Sequence, residues 1–508
     1  MKLKPGIYFL SALYMLLAAS ACAQDEKAQP VSPNASPEAK ALLQLIYNLS
    51  GKYTLTGQHN YPAAKDRNSQ FFAGYTGKTP VIWSDDFGFA KAGDKDSYQL
   101  RGKLVEEAKR QYAKGALVTL CWHAVPPTAN EPVTFQPLPG ASPDKLESVQ
   151  GRLSDQQFKD ILTPGTALNK QWLAQVDTIA YYLKQLQNAH VPVLWRPYHE
   201  MNGSWFWWGG RFGDYPTKAI YQQIFDRLVN YHKLNNLIWV WSVDRPTRPG
   251  MEFNNFYPGA KYLDIVALDV YGSDFNQSYY DQLLSLANGK PVTLAEVGNP
   301  PSPQILAQQP KWSYWVIWAG MAHLTSKKQF EAMDNSQRVL GLYDEAFINA
   351  VNPFRAKLNL PLLTLNKPAD FTGEWLFNED KSVLDNSGTG NLPYKLKVAQ
   401  DENIINIKKM FMEEWEDDRI TEEQLGLNGD VSKSEFFGSP RTTSANLAAG
   451  HDTLNIKSNV TFNHNGQTTQ MNTSEAWSLQ NNGKVLSIIQ ISVSPAGEKK
   501  LTLVFDRQ

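Results

Sequence analysis

Between residues 53 and 320 the chain repeats one theme eight times: a short apolar run rich in β-branched and aromatic residues, usually followed by an amphipathic helical stretch. The runs are "YTLTGQHN" (53–60), "PVIWSDDFG" (80–88), "ALVTLCWHA" (116–124), "PVLWRPYHE" (192–200), "NLIWVWSVD" (236–244), "DIVALDVYG" (264–272), "PVTLAEVG" (291–298) and "YWVIWAG" (314–320). Helical spacing of apolar residues fills 98–113, 171–187, 217–233 and 278–287 between them. Parallel strands need crossover connections, usually helices, so this alternation predicts an α/β fold with a parallel sheet. Eight such units close a (β/α)8 TIM barrel. A doubly wound sheet is the rival, but no glycine-rich dinucleotide fingerprint follows the first strand.

The strands begin apolar and most end polar or aromatic: His59, Asp85–Asp86, His123, Glu200, Asp244, Tyr271, Glu296 and Trp318. A buried strand with only a packing role stays apolar to its end. In such barrels the active site lies where the strands end, so this switch marks a site.

After "NKPAD" (366–370) the texture changes to short alternating runs such as "TLNIKSNVTF" and "KVLSIIQISVS", broken by turn-rich "NHNGQ" and "QNNGK". This predicts an antiparallel all-β barrel or sandwich over 371–508. The expected organisation is a barrel over 37–366, a linker at 367–370 and the β module. Trp375 and Trp477 of that module are expected to fill its core.

The N-terminus has the form of an export signal: Lys2 and Lys4, an apolar run over 6–19, then small residues. Residues 1–22 are expected to be a signal peptide and 23–36, "AQDEKAQPVSPNAS", a polar tether. "ASAC" ending at Cys22 has the form of a lipobox, although Ala19 stands where leucine is usual; "ACA" before Gln24 offers soluble cleavage instead. The lipid-anchored form is the expectation, at the outer membrane or cell surface. Cys121 is the other cysteine, so neither a disulfide scaffold nor a cysteine-based metal site is predicted. A net charge of −1 gives no reason to expect a nucleic-acid partner, and membrane contact is expected only through the lipid. Nothing implies a cofactor, a metal or a protein partner. Fifteen tryptophans suit a surface that binds ligands with both C–H faces and hydroxyls.

The densest chemistry lies in "RPYHEMNGSWFWWGG" (196–210). Glu200 ends the fourth strand run and Glu296 the seventh. Two carboxyls at the mouth of one barrel suit glycosidic hydrolysis, which needs a protonated acid for the leaving oxygen and an ionised partner at the anomeric carbon. Strand alternation puts Arg196 on the side of Glu200, where a fixed cation could keep Glu296 charged. His199 has the opposite parity and needs a bulge to reach the same side. H-E-x-x-H zinc chemistry is excluded, because Gly203 occupies the second histidine position. Four adjacent rings, Trp205 to Trp208, are not expected all to face inward, and the neighbouring glycines are expected to keep the loop open.

"WRPYHEMNGSWFWWG" resembles the acid/base motif of glycoside hydrolase family 26, best known for endo-β-1,4-mannanases. "TLAEVG" resembles that family's nucleophile strand, and "DVYG" and "CWH" fall in register with its other site strands. The resemblance covers roughly 40–365. It implies Glu200 as general acid/base, Glu296 as nucleophile, and Tyr271 as a hydrogen-bond donor to the nucleophile. It also implies Trp205 as a platform for the leaving-side sugar, and His123, His199 and Trp318 as lining for the sugar cleft. The implied partner is a mannan-type polysaccharide. Many mannanases of this family carry arginine after the eighth-strand tryptophan, whereas "VIWAG" has Ala319; mixed-linkage β-glucan and β-1,3-xylan are the alternative substrates. A non-catalytic glycan-binding protein is the reading from a different class. "FTGEWLFNEDKS" and "EAWSLQNNGKVLSI" resemble lipocalin-like modules of exported bacterial proteins.

Overall fold

The computed structural model describes residues 28–508 except 77, 89–97, 143–144, 365–368, 386–391, 402, 414–416, 437, 448–452, 465–466, 482 and 496. The signal-peptide and lipidation expectations, Cys22 included, lie outside the described residues, as does part of the expected linker. The chain forms two compact units that divide after Leu363.

The first unit is a closed parallel barrel. Its strands are β1 (Gly57–His59), β2 (Ile82–Asp86), β3 (Leu117–Trp122), β4 (Val193–Pro197), β5 (Leu237–Asp244), β6 (Ile265–Val270), β7 (Val292–Val297) and β8 (Trp312–Ile317). Each pairs with the next, and Gln58 of β1 meets Ile317 of β8 to close the ring. All eight strands fall where the apolar runs predicted them.

Alternation sorts each strand into two layers. Outward residues such as Trp83, Val118, Trp195, Trp239 and Leu268 join the helices in one apolar cluster. Inward residues such as Ile82, Leu117, Leu194, Val240 and Ala267 form a second. Helix Pro37–Leu49 belongs to the inner cluster through Leu42, Leu43, Ile46 and Leu49. It starts cleanly because Ser36 accepts the Ala39 N–H and Pro37 sits in the first turn, where no N–H is needed. It covers the end of the barrel at which the strands begin, leaving the opposite end for chemistry.

Residues 28–36 are not a free tether. The Asp264 carboxylate at the start of β6 accepts the backbone N–H of Val31 at 2.7 Å and that of Trp239 at 2.8 Å, and Ser36 N–H bonds Asn235 O. Polar composition alone does not reveal such a buried acceptor waiting for the strap.

The second unit is a ten-stranded antiparallel sheet among the described residues. It comprises β9 (Gly373–Phe377), β10 (Lys395–Gln400), β11 (Ile404–Phe411), β12 (Arg419–Gly426), β13 (Asn428–Phe436), β14 (Ser439–Leu447), β15 (Thr453–His464), β16 (Gln467–Gln480), β17 (Val485–Ser494) and β18 (Gly497–Arg507). The order β12-β11-β10-β9-β18-β17-β16-β15-β14-β13 brings the last strand against the first, and Leu427 alone separates the two edge strands in sequence. The sheet therefore curls into a nearly closed barrel. Trp375 and Trp477 are fully buried in its apolar core, as expected, with indole N–H groups bonded to Phe371 O and the Glu475 carboxylate.

Candidate active site

Arg196 points into the barrel because β4 alternates: Leu194 below it is inward, Trp195 outward. Alternation then stops. Tyr198 and Glu200 take left-handed backbone conformations, φ 50° and 49°, which are costly for side chains of this size and concentrate at functional sites. The parity objection to His199 assumed extended backbone up to residue 200. The turn at Tyr198 removes it, and His199 faces His123 at 4.4 Å between ring centroids.

The ring cluster that follows holds this turn in place. Trp207 donates its indole N–H to Ala124 O just beyond β3, and Trp208 donates to His199 O. Both are fully buried and Phe206 nearly so. Three of the four adjacent rings pack inward and the fourth does not, in keeping with the expectation that they could not all do so. Trp205 remains half-buried, and its indole N–H bonds Glu200 Oε2 at 2.5 Å. The glycines serve close packing and not openness: a Cβ on Gly203 would stand 2.3 Å from the Trp205 ring. Asn202 joins the loop to β5 by accepting the Asp244 N–H and donating to Asp244 O. Ten of the barrel's tryptophans are fully buried, so the abundance of indole reflects packing more than ligand contact.

Glu296 reaches the same place by a different device. The pairing of β6 with β7 slips between Leu268–Leu294 and Asp269–Glu296, leaving Ala295 as the extra residue of a bulge. Val292 and Leu294 face outward and Ala295 inward, and beyond the bulge Val297 faces outward again while Glu296 turns in. A bulge re-aims one side chain in this way. Arg196 donates to Glu296 Oε2 at 2.7 Å, and the Tyr271 hydroxyl donates to Oε1. Burial, with Glu296 and Glu200 nearby, holds the Tyr271 phenol well above its usual range, so it stays a donor.

Asp269 was not among the expected site residues. It takes the other arm of Arg196 at 3.3 Å and the Ser242 hydroxyl at 2.6 Å. Burial pushes its carboxyl up to about 8, against the pull of Arg196 and with Glu296 adding to the rise. Inward parity on β6 and β5, two residues beyond Ala267 and Val240, was the available signal for Asp269 and Ser242.

Glu200 sits in the environment of a proton donor. Burial raises its carboxyl well above the usual range, and the charges of Glu296, Asp269 and Asp244 add to this; the Trp205 N–H works the other way. One buried guanidinium thus serves Glu296 and Asp269, while Glu200 has no cation of its own among its hydrogen bonds. The environment splits two like groups into a neutral acid and a clamped carboxylate.

Three histidines complete the wall. The His123 ring bonds Asp86 through Nδ1, and the Asp86 carboxylate also accepts the backbone N–H of His123 and Gly88. This directs Nε2 of His123 away from Asp86. Asp86, Cys121 and His123 bring ligand atoms within 4.8 Å of one another, the one metal-type grouping among the described residues. Its carboxylate is already fully engaged in orienting the histidine. His59 stacks on Trp318 at 3.9 Å and bonds Ser84; burial lowers its pKa to about 3. Burial and Arg196 drive His199 well below its normal range, so the ring is neutral, and neither of its nitrogens has a partner within the protein. A buried imidazole without partners is costly unless something else bonds it.

All the expected barrel residues therefore gather at one end: Arg196, Glu296 and Tyr271 in one hydrogen-bond network, Glu200 bonded to Trp205 and within the field of Glu296, and His123, His199 and Trp318 in a contiguous aromatic wall.

Comparison with known proteins follows the same outline. Residues 31–348 match the model of glycosyl hydrolase family 26. A mannan endo-1,4-beta-mannosidase of Thermothelomyces thermophilus is 34% identical over 295 residues, covering 56% of each chain. This chain thus spans little more than half the length of that relative. A Bacillus subtilis enzyme with the same description is 30% identical over 314 residues, covering 57% of this chain and 79% of that one. Among solved structures, GH26A from a Muricauda species superposes with a TM-score of 0.56 at 40% identity, covering 61% of this chain and 98% of that one. A beta-mannanase from a symbiotic protist of the termite Reticulitermes speratus, complexed with gluco-manno-oligosaccharide, gives 0.53 at 26% identity over 66% of this chain and 98% of that one. On the family match and the barrel together, the chain belongs to glycosyl hydrolase family 26.

Proposed function

We propose that this chain is an endo-acting β-1,4-mannanase that works with retention through a glycosyl-enzyme. The observation that carries the reading is the contrast between the two glutamates: Glu296 held by Arg196 and Tyr271, Glu200 buried with a raised pKa. In the first step Glu296 attacks the anomeric carbon while Glu200 gives its proton to the leaving oxygen. In the second, Glu200 takes a proton from water, which displaces Glu296. Trp205 offers the leaving-side sugar a ring face and holds Glu200 by its N–H. His199, neutral and unpartnered, is suited to exchange hydrogen bonds with sugar hydroxyls. His123, oriented by Asp86, and Trp318, stacked on His59, line the cleft beside it. The mannan assignment draws support from the relatives' described activities.

Ala319 favours keeping the second reading, mixed-linkage β-glucan or β-1,3-xylan, because no cation stands next to Trp318 at that position. Incubation with mannan, lichenan and β-1,3-xylan, followed by reducing-end measurement and product sizing, separates these. Mannan cleaved internally to mixed oligosaccharides is the expected result. Preference for either other polymer would replace the substrate, and no release from any of them would sink the enzyme reading.

A further inference from the structure

The second unit encloses a cavity of about 550 Å3, within the ~300–1,000 Å3 range of small-molecule sites. Its lining is unusual for the inside of a small barrel. The deeper core is apolar, around Trp375, Trp477, Leu454 and Leu486. Above it, inward positions on five strands are polar or charged: Lys409, Glu423, Arg441, Glu475 and Gln490. Lys409 on β11 reaches Glu475 on β16 at 3.2 Å, although four strands lie between them in the sheet order. Gln490 also donates to Glu475, and Arg441 on β14 meets Glu423 on the edge strand β12 at 2.7 Å. Phe411, Phe436 and Phe462 add ring faces to the wall, with the Arg419 guanidinium 4.0 Å over Phe411. The lining reaches solvent at Ser434 and Glu435.

Apolar residues at these positions would stabilise the barrel about as well, since ion pairs withdrawn this far from water, with side chains 9–19% exposed, gain little over their desolvation. A ligand accounts for them, and the pattern restricts its chemistry. A hydrocarbon chain would cover paired charges without replacing any hydrogen bond, which is costly. An anion or a cation would compete with one member of a pair and strand the other. A neutral polyhydroxylated ring carries donors for the glutamates, acceptors for Lys409, Arg441 and Gln490, and C–H faces for the phenylalanines. We propose that the C-terminal barrel is a second carbohydrate site, taking a neutral saccharide of one or two pyranose units inside its lumen and not on an exposed tryptophan platform.

The test uses the full-length chain carrying Glu296→Ala, titrated calorimetrically with mannobiose, cellobiose and dodecanoate. Thr473→Trp and Ser492→Trp place bulk in the lumen from two different strands, and Glu475→Gln removes a charge without changing shape. The expected result is a sugar-binding event that either tryptophan variant weakens at least about tenfold and that Glu475→Gln also weakens. In the chain with Glu296 intact, the same lumen substitutions leave hydrolysis of soluble polymer unchanged. Binding and not turnover is read in the titration, so its outcome is separate from that of the proposed activity. Thermal unfolding identifies any variant that loses the barrel, and the other tryptophan variant and Glu475→Gln then decide. Sugar binding that no lumen substitution alters would overturn the proposal. So would dodecanoate binding that the substitutions abolish while sugar gives none, or no binding of any probe.

Discussion

Arg196→Met is the most informative single change. Arg196, Glu296 and Asp269 are 3%, 4% and 0% exposed, so the substitution leaves two carboxyls buried without their shared cation. Removing one partner of a buried pair costs about 3–5 kcal/mol. At roughly 2–4 °C per kcal/mol, or somewhat less for a barrel of this size, that is a fall in Tm of about 5–15 °C. The deficit depends on pH in a definite direction. An acid whose folded pKa lies above its unfolded value contributes stability that is complete at low pH and lost as pH rises through the folded pKa. Asp269 already stands at about 8, and loss of the cation raises it further. The variant is therefore least impaired near pH 4 and most impaired above pH 8. Activity moves in the same sense. With an effective dielectric near 20, a cation about 4 Å away is worth about 4 kcal/mol, or up to about 3 pH units. The acid limb of kcat/KM, which requires an ionised carboxylate, shifts upward by that order. Thermal melts and pH–rate profiles on soluble mannan measure both. Arg196→Lys restores part of the charge but not the two-armed fork, so it falls between. Activity lost at every pH with the acid limb unmoved would mean that Arg196 acts on substrate and not on the carboxylates.

Three further outcomes follow from the geometry. Trp205→Phe removes the N–H that favours ionised Glu200, so the alkaline limb of kcat/KM moves up, by less than about one unit; Trp205→Ala also loses the stacking surface and harms short oligosaccharides more than polymer, which can bind elsewhere. Equal losses on both substrates would make Trp205 a packing residue. A fragment ending at Leu363, where the first unit ends, keeps hydrolysis of soluble substrate; a folded but inactive fragment would show that the second unit completes the site. On the proposal that Cys22 carries lipid, Cys22→Ala moves the protein from the membrane fraction to the soluble fraction without changing kcat; an unaltered membrane fraction, or a wild-type N-terminus at Gln24, would refute the anchor.

How much of this was legible depended on where chain periodicity holds. Strand positions and the inward set Arg196, Asp244 and Asp269 follow from period-two alternation, which persists through β4 to β6. Parity fails where the site is made. Tyr198 turns the chain before Glu200, and Ala295 bulges before Glu296, so neither catalytic candidate is placed by alternation alone. What located them was the switch from apolar to polar at strand ends, which is indifferent to register. Indoles misled because one ring type serves two purposes: Trp207 and Trp208 spend their N–H groups on backbone carbonyls behind the site, while Trp205 spends its own on Glu200. The 28–36 strap was read as tether because its anchor, Asp264, lies more than two hundred residues away. In the second unit alternation gave strands and core but no cavity, since the pairing of Lys409 with Glu475 crosses the lumen and not a hairpin.

Azide rescue tests the central assignment of Glu296 as nucleophile and Glu200 as acid/base most directly. An aryl β-mannoside with a good leaving group needs no proton from Glu200, so Glu200→Ala still forms the glycosyl-enzyme, and added azide accelerates its breakdown. The expected product, identified by proton NMR, is the β-mannosyl azide, whereas Glu296→Ala under the same conditions gives no β-azide and at most the α-azide by direct displacement. A β-azide from Glu296→Ala in place of Glu200→Ala would contradict the assignment, and so would the α-anomer as the first-formed product of the unsubstituted enzyme.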